Sequence, residues 1–166
     1  MAAGTLISVE EYLNTSYRPD CDYIDGEVSE RNVGEFKHGR LQGVIGAWFL
    51  SREARWRIKS AVEVRLKVSA RRFRIPDVII LSADAPDERV IVTPPLVCIE
   101  ILSTCDTLSQ IWDRTQDYLA IGVPVCWIID PVSRRGWVAT PAGLVEARDG
   151  VMRAGEIEMP LSEVLE

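Results

Sequence analysis

Two carboxylates interrupt apolar segments in the middle of the chain. Asp77 lies in RIPDVIIL, residues 74–81, and Glu100 lies in PPLVCIEILS, residues 94–103. Burying a carboxylate in an apolar strand costs free energy unless a cation meets it. A divalent cation between the two acids is the simplest explanation for both, because Mg²⁺ in proteins takes one or two carboxylates and several waters.

A metal held in this way would supply phosphate chemistry. It lowers the pKa of a bound water and neutralises charge that develops on a phosphate. Side chains alternate across a strand, so antiparallel pairing of the two segments can bring Asp77 and Glu100 to one side of a sheet. Pro76 removes a ladder donor, which predicts that Asp77 stands at the start of its strand, near the rim. A cap or a salt bridge would explain either acid alone, whereas the pair favours the metal site.

The N-terminal part of the chain predicts short elements followed by a long helix. Ser8 and Glu11 have the spacing of a capping box. Asp25 and Gly26 form the dipeptide typical of a tight hairpin turn. The predicted elements are a short helix over 9–14, strands over 20–24 and 27–32, and a helix over 35–53 whose apolar stripe is Leu41, Val44, Ile45, Trp48 and Phe49.

The strands and the helix around the two acids follow. Residues 56–81 alternate with a period of two, which predicts two strands separated by a turn at 69–72. Leu96–Leu102 reads as a buried strand. A helix over 107–121 follows, and its predicted apolar face is Leu108, Ile111, Trp112, Thr115, Tyr118 and Leu119. With the strands over 123–129 and 136–140, this order indicates a mixed α/β sandwich.

Length and composition limit the class of protein. A chain of 166 residues predicts one domain. No apolar run approaches the roughly 20 residues that span a membrane. The first residues lack the basic and apolar regions of a signal peptide. The four cysteines form no Cys-x-x-Cys pair, so reduced thiols in a cytoplasmic protein are expected.

The charge is distributed unevenly along the chain. The net charge is −6, but residues 52–74 contain nine basic and two acidic residues, which gives +7 there and −13 elsewhere. A basic stripe on an acidic protein is compatible with a polyanion on one face, and equally with a solvated strand face. The residues predicted to contact nucleic acid are Arg65, Lys67, Arg71, Arg72 and Arg74.

Several motifs in this order resemble a known family. They are Pro76-Asp77, then Val-x-Ile-Glu100-Ile-Leu-Ser103, then Arg114 four residues before Tyr118, then Gly122-Val-Pro-x-x-Trp127-Ile-Ile-Asp130-Pro. Together they resemble the Uma-two family of restriction endonucleases, within the PD-(D/E)xK nuclease superfamily. The segment from Asp22 to Glu27 and the single histidine, His38, also fit the family pattern. The resemblance covers about residues 5–140.

The resemblance implies a restriction-endonuclease-like α/β fold, with a four- or five-stranded mixed sheet flanked by α-helices in a single domain, residues 1–166. It implies DNA as the substrate and Mg²⁺ or Mn²⁺ as the cofactor. Asp77 and Glu100 would be the metal ligands, and Glu27 a third acidic ligand. His38 would face a phosphate or support the ligands. From the residues alone, Glu27 is equally a solvated strand residue, and His38 a surface or capping residue.

One position departs from the superfamily pattern. The superfamily has a lysine two residues after the glutamate, where this chain has Leu102. In the Uma-two family that lysine is thought to lie on the following helix, where this chain has Arg114. An arginine stabilises negative charge with paired hydrogen bonds, but it does not give up a proton as a general base. Arg114 could also simply pair with Asp113, Asp117 or Glu100.

Three functions therefore stay open. The first is a metal-dependent endonuclease that hydrolyses DNA phosphodiester bonds, with Asp77, Glu100, Arg114 and His38 at the catalytic site. The second is a nuclease-fold protein with impaired catalysis, which binds nucleic acid or a protein partner without cutting. The third is an interaction domain in which the two acids only make salt bridges. A homodimer is compatible with a nuclease that cuts both strands, and no membrane contact is expected.

Overall fold

The computed structural model describes residues 6–31 and 35–165, and this part of the chain contains four α-helices, one 3-10 helix (Leu161–Glu163) and twelve strands. None of the described helices is long and apolar enough to cross a membrane. The α-helices are α1 (Val9–Asn14), α2 (Phe36–Leu50), α3 (Glu53–Trp56) and α4 (Leu108–Ala120). The strands are β1 (Cys21–Ile24), β2 (Glu27–Glu30), β3 (Ile58–Val62), β4 (Leu66–Ser69), β5 (Arg72–Arg74), β6 (Val78–Ser82), β7 (Val97–Ile101), β8 (Val125–Asp130), β9 (Arg135–Thr140), β10 (Gly143–Glu146), β11 (Val151–Ala154) and β12 (Ile157–Pro160).

A six-stranded mixed sheet forms the centre, in the order β10-β9-β8-β7-β6-β3. Its β7–β8 pair is parallel, and α4 connects these two strands. The α2 face packs on one side of this large sheet, and α4 lies on the other side with β4. The restriction-endonuclease-like α/β fold is therefore confirmed, although the large sheet has six strands where four or five were expected.

A second, four-stranded sheet runs β2-β1-β5-β4 and packs against α1 through Tyr12, Tyr23 and Phe73. The predicted capping box holds in part, because Ser8 Oγ accepts a hydrogen bond from the Glu11 N–H at 3.1 Å. The predicted hairpin is present as β1 and β2. Residue 32, the predicted end of its second strand, lies outside the described residues.

The two long strands predicted over residues 56–81 are each broken, so that one hairpin belongs to both sheets. The first strand breaks at Glu63, whose φ is +50°, and yields β3 and β4. The second breaks at Ile75–Asp77, where Pro76 has no N–H for the ladder, and yields β5 and β6. β3 and β6 enter the large sheet, whereas β4 and β5 enter the small one. Asp77 thus lies at the bend between the sheets.

The buried faces of the two long helices differ in how well their apolar pattern predicts them. In α2, Leu41, Ile45, Trp48 and Phe49 are buried as expected. In α4, the buried residues are Ile111, Arg114, Thr115 and Tyr118. Leu108 is 90% exposed and Trp112 is 48% exposed, so their predicted burial is wrong. The reason is Arg114, which points inward and rotates the buried face away from these two residues.

Glycine substitutions test the packing under β9. A Cβ atom on Gly136 would collide with Met152 Sδ and lie 3.2 Å from Leu161 Cδ1. We expect Gly136→Ala to lower the free energy of unfolding by about 1–3 kcal/mol, because the packed core must shift. Gly43→Ala is the matched control, since its Cβ meets nothing within 4 Å. It should raise the free energy by about 1 kcal/mol within α2. Urea unfolding measures both, and equal effects would contradict the packing.

Candidate functional site

Strand pairing brings the two predicted acids together. β6 and β7 are antiparallel, with Val78 opposite Ile99 and Ile79 opposite Cys98. One step further in this register places Asp77 opposite Glu100, on the face of the large sheet that α4 covers. Each residue is only 1% exposed. Two carboxylates thus face each other at the edge of the apolar core.

A guanidinium lies between these two acids. Arg31 Nη2 donates to Asp77 Oδ1 at 2.8 Å and to Glu100 Oε2 at 3.4 Å. Arg31 directly follows β2, so the N-terminal hairpin supplies this cation. A shared cation of this kind offsets the repulsion between two buried carboxylates.

Helix α4 supplies two further partners of Glu100. Tyr118 Oη donates to Glu100 Oε1 at 2.6 Å, and Arg114 Nη1 donates to Glu100 Oε2 at 3.2 Å. The two residues are four apart and therefore share one helical face. Arg114 Nη1 also lies 3.2 Å from Asp106 Oδ1, and Asp106 Oδ2 accepts from the N–H and hydroxyl of Ser103. Arg114 is thus held from two sides.

Helix α2 and the β7 backbone position Asp77. His38 Nε2 lies 3.2 Å from Asp77 Oδ2, and the Ile101 N–H donates to the same oxygen at 2.7 Å. Gln42, one turn further along α2, donates to the Asp77 carbonyl at 3.0 Å. The two α2 residues reach Asp77 from the other side of the sheet, because Asp77 stands at the rim where β6 begins.

Burial and charge shift the pKa values of the two acids in opposite directions. Burial raises the pKa of Asp77, but attraction to Arg31 and a hydrogen bond from His38 outweigh it, so this pKa lies below its ordinary value. Burial also raises the pKa of Glu100, and here Arg31 and Arg114 offset the effect only in part. The pair is tightly coupled, and Asp77 is the member that stays charged at lower pH.

A polar cavity of about 190 Å³ opens beside Asp77. Carboxylate oxygens are the donors that Mg²⁺ and Mn²⁺ accept, so Asp77 and Glu100 fit a divalent metal in donor type. Within residues 6–31 and 35–165, however, no group of three or more His, Cys, Asp and Glu side chains is placed to hold a metal ion. A metal here would be bound by two carboxylates and waters. The cavity is lined by residues including Arg31, Glu35, His38, Gln42, Asp106 and Arg114.

The structure leaves one predicted ligand outside this cluster. Glu27 is exposed at the start of β2, beside the hairpin turn and at the opposite end of the strand from Arg31. Asp22 is the acid that β1 turns inward. Its carboxylate accepts from the Ile75 N–H at 3.0 Å and from Arg74 Nη1 at 3.0 Å. The role of Glu27 as a third metal ligand stays a prediction, and none of the contacts described above supports it.

Much of the predicted nucleic-acid stripe takes part in internal ion pairs. Arg65 binds both carboxylate oxygens of Asp20, at 2.8 and 2.7 Å. Arg74 is buried between Asp22 and Asp117, and Arg72 contacts Asp25 and Asp117. The other two predicted residues are exposed. Arg71 donates to the Asp25 carbonyl at 3.1 Å, and Lys67 lies on the outer face of β4.

Arg31, Gln42 and Tyr118 belong to the site, although the sequence did not predict them there. Arg31 is 46 residues from Asp77 and 69 from Glu100, so no local pattern could reveal the contact. Tyr118 had a usable signal, since it follows Arg114 by one helical turn.

Comparisons with known proteins agree with this architecture. The sequence model of the Uma2 family, described as "Putative restriction endonuclease", matches residues 9–160. The crystal structure of a "putative nuclease belonging to DUF820" from Anabaena variabilis superposes with a TM-score of 0.80 and 18% identity, over 95% of this chain and 97% of that one. At this identity the likeness shows the fold. No curated protein matches the chain.

The His38 contact predicts a pH-dependent stability. The pKa of His38 is raised, because attraction to Asp77 and the hydrogen bond that Asp77 accepts from the ring outweigh the lowering effect of burial. The folded state therefore holds the imidazole proton at a pH where the unfolded chain, with a pKa of about 6.5, has lost it. The free energy of unfolding contributed by this contact is full below about pH 6.5 and is lost as the pH rises through the folded pKa.

We expect the free energy of unfolding to fall more steeply in the wild type than in His38→Gln as the pH rises above about 6.5, because the variant lacks this proton. Urea unfolding with a metal chelator present measures both slopes. His38 is the only histidine, so no other imidazole contributes. Identical slopes would contradict the His38–Asp77 ion pair.

Proposed function

Because this chain belongs to the Uma2 family, we propose that it is a metal-dependent endonuclease that hydrolyses DNA phosphodiester bonds, with Mg²⁺ or Mn²⁺ as its cofactor. One observation carries the proposal: the β6–β7 register sets Asp77 opposite Glu100 beside a polar cavity. Paired carboxylates on neighbouring strands, beside a polar cavity, can share a cation that also meets a phosphate from outside.

The residues of the site have separate tasks in this proposal. Asp77 and Glu100 would hold the metal, which when bound supplies a water of lowered pKa and neutralises phosphate charge. Tyr118 and the Ile101 N–H orient the two carboxylates. Arg114, held by Glu100 and Asp106, lines the cavity and can donate hydrogen bonds to a phosphate oxygen.

His38 can donate a hydrogen bond in the same cavity. It contacts Asp77 and lines that cavity, and its raised pKa keeps it protonated to higher pH than a free imidazole. It can donate to a phosphate oxygen or orient Asp77. Arg114 cannot act as a general base, so the proton of the attacking water would pass to solvent, and a bound metal would favour this by lowering the pKa of that water.

DNA is the proposed partner, and the stripe Arg65, Lys67, Arg71, Arg72 and Arg74 stays the proposed contact set. Its exposed members, Lys67 and Arg71, are best placed to meet backbone phosphates. Arg65 and Arg74 would contribute indirectly, by stabilising the fold, since internal carboxylates already neutralise their charges. Phosphate contacts of this kind give affinity without sequence preference.

Three broader proposals accompany the activity. Residues 1–166 would act as one restriction-endonuclease-like domain, in keeping with the family match over 9–160. A homodimer would let two sites act on two strands. A cytoplasmic location is supported by four free cysteines at positions 21, 98, 105 and 126, which suit a reducing compartment.

A second candidate function is binding of nucleic acid or a protein partner without cutting. Two observations favour it. Arginine stands at position 114, where the family is thought to have a lysine, and the Arg31 guanidinium occupies the space between the two acids. A site neutralised by its own arginines could keep its shape and bind a polyanion without hydrolysing it.

The cleavage proposal predicts that wild-type protein nicks plasmid DNA with Mn²⁺ and that Asp77→Asn lowers the rate by about 100-fold or more. Loss of a residue that hydrogen-bonds to a metal ligand typically lowers metal affinity or activity by about 10–100-fold. Loss of a direct ligand should lower the activity at least as much. The measurement is the rate of supercoiled plasmid loss on agarose gels, with purified protein and a chelator blank.

Asp84→Asn is the matched control, because this side chain is 82% exposed and pairs only loosely with Arg57. It should cut like the wild type. Equal cutting by Asp77→Asn and the wild type would refute the site assignment. A silent wild type together with an active Arg114→Lys variant would refute the activity of this chain and leave the second candidate.

The second candidate predicts DNA binding that a chelator leaves unchanged and that weakens steeply between about 50 and about 200 mM salt, as phosphate contacts release counterions. Fluorescence anisotropy of a labelled duplex measures both effects. Lys67→Gln combined with Arg71→Gln should reduce the salt slope, whereas Arg148→Gln, on a loop after β10, should not. An affinity that does not change with salt would rule out the stripe as a nucleic-acid face.

A further inference from the structure

One nitrogen atom of Arg31 contacts both acids of the site. Nη2 lies 2.8 Å from Asp77 Oδ1 and 3.4 Å from Glu100 Oε2. The Arg31 side chain is 12% exposed and the two carboxylates are 2% and 1% exposed, so water screens these contacts little. This nitrogen therefore occupies the position from which a cation can serve both carboxylates at once.

The other cations of the described site do not share this position. Arg114 reaches Glu100 and Asp106, and His38 reaches Asp77. Each contacts one of the two opposed acids. In the part of the chain that the structure describes, Arg31 is thus the bridging cation of the pair.

A divalent metal and the Arg31 guanidinium cannot hold the same two carboxylates together. Arg31 already contacts the two oxygens that the Ile101 N–H and Tyr118 leave open, so a metal held by both acids would be brought against the guanidinium. Two positive groups in contact repel strongly where the effective dielectric constant is low. A metal carries twice the charge of the guanidinium but must lose part of its hydration shell to enter. The two cations therefore compete, and neither is excluded by shape alone.

Arg31 leaves part of its hydrogen-bonding capacity unused. Its attraction to the two carboxylates, more than a complete set of hydrogen bonds, therefore holds its side chain in place. Its Nε is buried and has no hydrogen-bond partner among the described atoms. A buried donor without a partner costs free energy, which Arg31 would recover in water. This cost favours release of the side chain once another cation neutralises the acids.

We propose that Arg31 is an internal counter-ion that competes with the divalent metal for Asp77 and Glu100, so that metal binds only as the Arg31 side chain leaves. The inference rests on the proposed function in one respect, the metal itself. Arg31 stabilises the free protein by neutralising the two acids, and it lowers the affinity of the site for metal. The free protein is thereby kept folded and inactive when metal is scarce.

The test is calorimetric titration of Mn²⁺ into metal-free wild type, Arg31→Gln and Lys37→Gln. Arg31→Gln should bind Mn²⁺ about tenfold more tightly or better, in the range typical of coupling between competing ligands. Lys37→Gln removes an exposed positive charge from the first turn of α2, next to His38, and should bind like the wild type. This control separates direct competition from a general change of charge near the cavity.

The outcomes distinguish this inference from the proposed function. Equal or weaker Mn²⁺ binding by Arg31→Gln, with measurable binding by the wild type, would overturn the role of Arg31 and leave metal dependence intact. No binding by any of the three proteins would overturn the proposed metal-dependent function and, with it, this inference.

A second measurement uses the wild type alone, in case Arg31→Gln fails to fold. Phenylglyoxal reacts with accessible guanidinium groups, and mass spectrometry locates the modified arginines. Mn²⁺ should raise the modification of Arg31 several-fold, whereas Arg148, 88% exposed, should react equally with and without metal. No change at Arg31 at a Mn²⁺ concentration that saturates the calorimetric site would overturn the proposal.

Discussion

The opposition of two buried carboxylates across the β6–β7 ladder is the constraint that the surrounding elements satisfy. Asp77 and Glu100 are brought together by strand pairing alone, before any side chain neutralises them. Isolated buried charges of this kind would cost several kcal/mol each. The cost is offset by groups from β2's end, α2, β7 and α4, and each of these elements must therefore be in place for the site to be stable. The two carboxylates thus help to determine how α2, α4 and the N-terminal hairpin pack around the large sheet.

The same principle explains the uneven charge along the sequence. The basic segment of residues 52–74 carries +7, but most of its arginines pair with carboxylates in the acidic remainder of the chain. Arg65 meets Asp20, and Arg74 lies between Asp22 and Asp117. These pairs join the hairpin of the small sheet to α1, β1 and α4. A segment that looks in sequence like a binding stripe is in large part a set of internal counter-ions.

What could be predicted from sequence depended on whether the deciding interaction was local. The α2 stripe, the β1–β2 turn and the apolar strands around Asp77 and Glu100 follow from short-range periodicity, and so the fold class and the meeting of the two acids could be expected. The α4 face could not, because the charge on Glu100 overrides apolar periodicity and draws Arg114 inward. The broken strands required knowledge that two sheets share one hairpin. Arg31 is joined to the acids only by tertiary structure.

The hairpin shared by the two sheets gives the site a mechanical property. Asp77 stands at the bend, and just before it the Ile75 N–H and the Arg74 side chain are bonded to Asp22 in the small sheet. The chain between the small sheet and the acid is therefore short and tied down. Because this link is short, a tilt of the small sheet relative to the large one would also displace the Asp77 carboxylate. A load on β4 and β5 would thus change the distance between the two acids.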